Sequence, residues 1–132
     1  MVNVDAKSVL LLHDFVVELS GGKIGVRDKG LLDSAIACAY QTFDGVELFP
    51  TIEEKAARIG FGIMRNHAFF DGNKRVGGLI MMAFLKLNNV NIAFSHSDLV
   101  KLEYKVACSQ KNYGDVLNWI NSHKQKEAER DH

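Results

Sequence analysis

The chain has 132 residues, 47% of them hydrophobic, which is enough for one buried core and leaves little for a second. Its 16 basic residues balance its 16 acidic residues, so no net field draws it toward nucleic acid or an anionic membrane. Cys38 and Cys108 lack disulfide-framework and zinc-site spacing, which is typical of reduced thiols in a cytoplasmic protein. We therefore expect one cytoplasmic domain, with no direct nucleic-acid or membrane partner and with anion binding only at local sites.

Hydrophobic periodicity and capping residues predict about six helices in chain order. Gly21-Gly22 ends the first of them, and residues 41–50 are expected to be irregular. Gly60 and Gly62 are small enough to permit close helix contact. The predicted helices are residues 5–20, a second from the N-cap Asp28 to about Ala39, a third from the capping box at Thr51 to about Asn66, a fourth from about Lys74 to Leu87, a fifth from the cap at Ser95 to about Ser109, and a last one around Val116 to Ile120.

The fourth predicted helix is apolar on most of its sides, so we expect it to be the central buried helix of the domain. After the last helix, every residue from Lys124 to His132 except Ala128 is charged or polar, and this end is expected to fray into solvent. The sequence thus predicts an all-α fold. It would be a single-domain bundle of about six helices over residues 1–123, with a polar C-terminal tail over residues 124–132.

The loop before the apolar helix is the most informative stretch, because it gathers ionisable residues where that helix starts. The backbone amides of Gly72, Asn73, Lys74 and Arg75 fall at the expected helix N-terminus, where unpaired N–H groups and the helix dipole attract phosphate. Gly72 lets the backbone approach an anion closely, and the two cations add full positive charges. This spacing predicts a phosphate site.

Two further side chains fit nucleotide chemistry at the same place. Asp71 has the ligand type that holds Mg²⁺ against phosphate oxygens. His67 has a side chain that can accept a hydroxyl proton near neutral pH. These groups together indicate transfer from a nucleotide to a hydroxyl.

Each of these residues also has a structural interpretation. Asp71 or Asn73 can cap the helix, Gly72 can relieve a turn, and His67 can be a hydrogen-bonded structural histidine. Phe69 is expected to anchor the loop on the core. Taken singly, each residue favours the structural interpretation, but cations in a first helical turn oppose the helix dipole, which favours a bound anion for the set.

The residues from His67 to Arg75, HAFFDGNKR, resemble the Fic/Doc signature HxFx(D/E)(G/A)N(G/K)R at every defined position. The likeness extends to residues 22–32, which resemble the upstream segment of the Doc branch. It also extends to residues 43–50 and 55–57, which resemble the flap and the helix that precedes the motif. It covers roughly residues 10–120. This resemblance implies an all-α fold with a short flap at residues 45–49 that docks an extended target segment.

Fic enzymes typically read GNGRxxR and transfer AMP, whereas this chain reads GNKRVGG. Lys74 replaces the glycine that leaves room for phosphates, and Gly78 stands where the second arginine would be. The lysine resembles that of the Doc branch, the death-on-curing toxins, in which the nucleotide is reversed and its γ-phosphate meets the target. The resemblance therefore implies an ATP- and Mg²⁺-dependent protein kinase acting on translation elongation factor Tu.

Carried onto this sequence, the resemblance makes His67 the general base and Asp71 the Mg²⁺ contact. Gly72, Asn73, Lys74 and Arg75 would cradle the phosphates. AMP transfer by the same site is the first alternative. A non-catalytic module that only sequesters a partner is an alternative of another class.

The sequence also predicts how the activity is controlled. Self-silencing relatives carry an inhibitory helix with the pattern (S/T)xxxE(G/N), which does not occur in this chain. Gly78 also removes the arginine that such a glutamate would engage. We therefore expect a separate antitoxin protein, with a segment that folds into an amphipathic helix on an apolar groove of this domain.

Overall fold

The structure is a computed structural model that describes residues 1–20, 22, 25–70 and 72–125. Within these residues the fold is all-α, as the sequence predicts, and it includes one short hairpin. No helix of this described part is both long and apolar enough to cross a bilayer. The elements in chain order are α1 (Ala6–Ser20), α2 (Lys29–Cys38), β1 (Thr42–Phe43), β2 (Val46–Glu47), α3 (Ile52–Asn66), α4 (Asn73–Leu87), α5 (His96–Ala107) and α6 (Tyr113–His123).

Side-chain caps fix the starts of five helices in the described residues, the first of them Asp5, whose Oδ1 accepts from the N–H of Ser8 at 2.8 Å before α1. Asp28 accepts a hydrogen bond from the backbone N–H of Leu31 at 3.1 Å and begins α2, as predicted. Both predicted caps of α3 and α5 are complete capping boxes, in which Thr51 pairs with Glu54 and Ser95 pairs with Asp98. A third capping box, between Asn112 and Asp115, starts α6. These local bonds satisfy first-turn N–H groups, which explains why these boundaries can be read from the sequence.

Close contact between α3 and α4 is made possible by glycine. A Cβ atom placed on Gly77 would lie 2.6 Å from Cγ of Met64 and 2.9 Å from the carbonyl oxygen of Gly60. A Cβ atom on Gly60 would lie 2.9 Å from Cβ of Met81, and one on Gly62 would lie 3.2 Å from Cβ of Ala35 in α2. The prediction that Gly60 and Gly62 permit close helix contact is therefore confirmed.

The centre of the bundle is shared by α3 and α4, which refines the expectation that everything packs around α4. Helix α3 contacts α2, α4, α5 and α6, whereas α4 contacts α1, α3 and α5. Leu79 and Leu87 on α4 remain exposed. Apolar content alone does not place a helix at the centre, because one side of α4 faces a groove instead of another helix.

A hairpin occupies part of the segment that was expected to be irregular, so that expectation is wrong for β1 and β2. Asp44 and Gly45 lie between the strands with φ of 51° and 77°, and this pair is a common two-residue hairpin turn. The ammonium group of Lys55 on α3 donates to Oε1 of Glu47 at 2.9 Å and to the carbonyl oxygen of Phe49. Lys55 is buried, so this ion pair ties the hairpin to α3.

The first two residues of the predicted tail are bonded to the domain. Lys124 forms an antiparallel bridge with Ile92, and the N–H of Gln125 donates to the carbonyl oxygen of Asn91 at 2.9 Å. The ammonium group of Lys124 also pairs with Glu53 on α3. Residues 126–132 lie outside the described residues.

We predict that Gly77→Ala lowers the free energy of unfolding by about 1 to 3 kcal/mol, because the new methyl group overlaps the backbone of α3. Urea denaturation measures the change. Gly114→Ala on α6 is the matched control, since a Cβ atom there meets only Oδ1 of Asn112, at 3.3 Å. Alanine is the better helix former, so the control is expected to be neutral or slightly stabilising. Equal losses in both variants would contradict the proposed packing.

Candidate active site

The motif begins where α3 ends. His67 is the C-cap residue of α3 and has a left-handed backbone conformation, with φ of 55°. Its carbonyl oxygen accepts a hydrogen bond from Nε of Arg27 at 2.8 Å, and its side chain is exposed. The carbonyl oxygen of Ala68 accepts bonds from the N–H groups of Arg27 and Asp28, at 2.8 and 3.0 Å. The segment that precedes α2 therefore holds the start of the motif in place, and His67 faces solvent.

Phe69 anchors the loop on the core, as predicted. Its side chain is buried and its ring stacks on the ring of His13 from α1, with centroids 3.8 Å apart and planes 12° apart. The sequence analysis did not single out His13. The signal for it is a histidine among the apolar positions of α1, and such a residue is usually structural.

Asn73 is hydrogen-bonded within the motif. Its Oδ1 accepts from the N–H of Phe69 at 3.1 Å, and its Nδ2 donates to the carbonyl oxygen of Phe69 at 3.0 Å. Gly72, the residue before α4, has φ of 82°, which favours glycine. A Cβ atom on Gly72 would also lie only 3.2 Å from Val17. These two residues give the loop its shape.

A groove of about 770 Å³ opens at the N-terminus of α4. We call it the α4 groove. The four residues that were predicted to bind phosphate line one end of it, and apolar side chains lie farther along. The ammonium group of Lys74 lies 5.5 Å from the ring centre of Tyr104. His67 does not line it, and Asp71 lies outside the described residues. The lining residues are Val16, Gly22, Gly72, Asn73, Lys74, Arg75, Leu79, His96, Leu99, Val100, Glu103 and Tyr104.

The α4 groove has the chemistry of an anion site at its loop end. The backbone N–H groups at the start of α4 have no side-chain cap from Gly72. The positive end of the helix dipole and the two cations act on the same region. Gly72, Asn73, Lys74 and Arg75 all line the groove at this end, and their binding of phosphate stays a prediction.

Glu103 on α5 is a groove residue that the sequence analysis did not identify. Only 8% of its surface is exposed, and burial raises the pKa of its carboxyl group from 4.5 to about 7, against the attraction of Arg75 and Lys74. A Cβ atom on Gly78 would lie 1.9 Å from Oε2 of Glu103, so Gly78 makes room for this carboxyl group. The buried positions 99, 102, 103 and 106 follow one helical face, and that spacing is the signal that could have found it.

Comparison with known proteins agrees with this geometry. The Fic/DOC family matches residues 3–85, which is more than half of the chain and includes the whole motif. The chain belongs to the Fic/DOC family. It is also similar to Toxin Doc of Mycolicibacterium smegmatis, with 44% identity over 73 residues, equal to 55% of this chain and 56% of that relative. The matched part is therefore about half the length of the curated relative.

In this Fic/DOC protein the family match ends inside α4. The loop end of the α4 groove, with residues 72–75, lies within the matched segment. Glu103 and Tyr104 come from α5, beyond it. The loop end of the groove is therefore described by both the family match and the structure of this chain. The α5 wall is described by the structure alone.

We predict that Glu103→Gln stabilises the protein above about pH 7 and has little effect below about pH 4.5. Between these values the folded protein holds a proton that the unfolded chain releases, so wild-type stability falls as the pH rises through this window. The glutamine variant does not lose this stability, and its advantage should reach about 1 to 3 kcal/mol. Thermal unfolding at several pH values measures it.

Glu18→Gln is the matched control, because it removes one exposed carboxylate from α1. Its effect on the free energy of unfolding is expected to stay within about 0.5 kcal/mol at every pH. A Glu103→Gln advantage that does not change with pH would contradict a buried, titrating carboxyl group.

Proposed function

We propose that this protein transfers the γ-phosphate of ATP to a Ser or Thr hydroxyl group of a translation factor, and that it acts as the toxin of a toxin–antitoxin pair. The observation that carries the proposal is the α4 groove, which residues 72–75 line at the N-terminus of α4, beginning five residues after the exposed His67. Similarity to a protein named Toxin Doc supports the toxin part. By family resemblance the target is elongation factor Tu, which lies in the cytoplasm.

In the proposed reaction, the oxygen of the target hydroxyl group bonds to the γ-phosphorus atom while His67 takes the proton of that hydroxyl group. The bond from that phosphorus to the β–γ bridging oxygen breaks, and ADP leaves with the electron pair. Lys74, Arg75 and the first N–H groups of α4 stabilise the charge on the phosphate oxygens. Asn73 acts by holding the loop, since its side chain bonds to Phe69.

Mg²⁺ is proposed as the metal, and it would neutralise phosphate charge when bound. Asp71 is its proposed ligand, and its neighbour in sequence, Gly72, lines the α4 groove. Among the described residues there is no cluster of three or more His, Cys, Asp or Glu side chains that could hold a metal ion by itself. Magnesium in proteins is commonly held by one or two carboxylates together with substrate phosphates, and the proposal gives the single carboxylate to Asp71.

Phosphate transfer is favoured over AMP transfer by the residues along α4. Lys74 fills the place of a small glycine in the AMP-transferring pattern, and its ammonium group lies over the Tyr104 ring. Near Gly78, where that pattern has a second arginine, the carboxyl group of Glu103 takes up the space. A carboxyl group there opposes the binding of a distal phosphate, so AMP transfer is the second candidate.

The hairpin is the proposed docking site for the target segment. Phe43 and Val46 are exposed on its short strands, and a two-stranded sheet leaves edges to which an extended peptide can pair. The ion pair between Lys55 and Glu47 would keep the hairpin at a fixed place on α3 while the peptide binds.

An exposed apolar stripe on α1 is the proposed contact of an antitoxin helix. It consists of Leu11, Phe15 and Leu19, which are 66%, 61% and 75% exposed and recur every four residues. Val16 on the same helix lines the α4 groove. An amphipathic helix laid on this stripe would therefore come close to the groove and could cover it.

We predict that purified wild-type protein, incubated with bacterial lysate, labels a protein from ATP carrying label in the γ-phosphate and not in the α-phosphate. His67→Ala is expected to lower the labelling rate about 100-fold or more, because it removes the general base. His123→Ala is the control, since His123 is on α6 and does not line the groove. Autoradiography of the separated proteins gives both results.

Label from the α-phosphate alone would establish AMP transfer and overturn the kinase proposal. Absence of label from both nucleotides, together with growth arrest on expression, would instead support a non-catalytic binding module. Full labelling by His67→Ala would make His67 a structural residue.

We predict that wild-type protein expressed alone in bacteria arrests growth and that co-expression of the adjacent small gene restores it. Phe15→Glu should keep the arrest but lose the rescue, because a charge in the apolar stripe opposes burial under the antitoxin helix. Leu87→Glu is the control. Leu87 is a similarly exposed apolar residue, but it is at the C-terminal end of α4 and does not belong to the stripe on α1. Equal rescue of Phe15→Glu and wild type would remove α1 from the interface.

A further inference from the structure

Glu103 places a carboxyl group in the middle of a groove whose other charged lining residues are cationic. Its side chain comes from α5 and lies against the backbone of α4 at Gly78, where an added Cβ atom would be 1.9 Å from Oε2. Gly78 is five residues beyond Asn73, which corresponds to about 7.5 Å along the helix axis. A phosphate chain that extends from the start of α4 along the groove would therefore pass this carboxyl group.

Within the described part of the chain, no hydrogen bond or ion pair is made by the Glu103 carboxyl group. Lys74 and Arg75 attract it from a distance, but the Lys74 ammonium group lies over the Tyr104 ring instead. The side chain of Glu103 is largely withdrawn from water, and this loss of solvation favours the protonated form of its carboxyl group. This agrees with its pKa of about 7.

A bound polyphosphate would act on Glu103 in two ways. Its negative charges would repel the carboxylate directly, because like charges at close range disfavour ionisation. It would also engage Lys74 and Arg75, whose attraction now favours the charged form of Glu103. Both effects favour the protonated form, so ligand and proton would bind together.

We propose that Glu103 sets the affinity of the α4 groove for polyphosphates, and that a polyphosphate binds there together with a proton on Glu103. This inference rests on the part of the proposed function that places a nucleotide in the groove. It does not depend on which phosphate is transferred.

Other charged or titratable groups line the same groove as Glu103. Helix α4 contributes Lys74 and Arg75, α5 contributes His96 and Tyr104, and α1 contributes only Val16 among the described lining residues. Lysine, arginine and tyrosine do not ordinarily titrate between about pH 5.5 and 8.5, whereas histidine does. Protonated histidine also attracts phosphate, so the contribution of Glu103 has to be separated by mutation.

The test is the dissociation constant of inorganic tripolyphosphate, and separately of ATP with Mg²⁺, measured by calorimetry near pH 5.5 and near pH 8.5. Glu103→Gln keeps the size of the side chain and removes its charge. At the higher pH this variant is expected to bind each ligand about tenfold more tightly than wild type does, which corresponds to a ligand-induced rise of about one unit in the pKa of Glu103. At the lower pH the two proteins are expected to bind equally. The ligand's own titration cancels in the ratio of the two constants.

Two controls isolate the carboxyl group. Glu18→Gln makes the same change in net charge on an exposed position of α1 and should bind as wild type does. When His96→Gln is introduced into both wild type and the Glu103→Gln variant, the difference in affinity between the two proteins should remain. In buffers of different ionisation enthalpy near pH 8, wild type should take up a fraction of a proton per ligand that Glu103→Gln does not.

Weaker binding by Glu103→Gln would show that the carboxyl group is a direct ligand contact, and it would overturn the inference. A ratio that stays constant with pH would do the same. No binding of either ligand by wild type would overturn both this inference and the proposed function. Proton-coupled binding without phosphate transfer would leave the inference standing and overturn the proposed reaction.

Discussion

Close contact between α3 and α4, which Gly60 and Gly77 permit, fixes the two ends of the loop that carries the motif. His67 ends one helix and Gly72 precedes the other, so the distance between the proposed base and the proposed anion site depends on how these helices pack. Phosphoryl transfer requires mainly positioning and charge stabilisation. A substitution buried between the helices would therefore reduce the proposed activity by moving the loop ends apart.

The loop has its own internal support. The side chain of Asn73 makes two hydrogen bonds to the backbone of Phe69, and Phe69 stacks on His13 of α1. Asn73 is thereby occupied in holding the loop. The groups that can face an anion are the backbone amides at the start of α4, the two cations and the second N–H of the Asn73 amide, which the bond to Phe69 does not use. A rigid loop that presents N–H groups needs no reorganisation when charge develops on a phosphate, which is the condition for effective electrostatic stabilisation.

The parts of this structure that the sequence predicts are those determined by local bonds. The caps at Asp28, Thr51 and Ser95 satisfy N–H groups within three residues, so the helix starts follow from short patterns. The strands at residues 42–47 fall where an irregular segment was expected, although Asp44-Gly45 is a local turn signal for a hairpin. What short patterns do not show is the support from Lys55, a buried charge on a later helix. Glu103 also depends on a long-range feature, because it is accommodated only where Gly78 of another helix lacks a side chain.

The carboxyl group of Glu103 lowers the stability of the folded protein near and above neutral pH, so its presence calls for a compensating benefit. A groove lined only by cations and backbone N–H groups would bind substrate and product phosphates about equally well. Such uniform binding does not raise the rate and slows the release of product. If Glu103 acts as proposed, its carboxyl group opposes any polyphosphate unless it gains a proton, and it would reduce this common affinity. In the proposed reaction, the cations at the start of α4 would then contribute most at the transferred phosphate, where charge is concentrated.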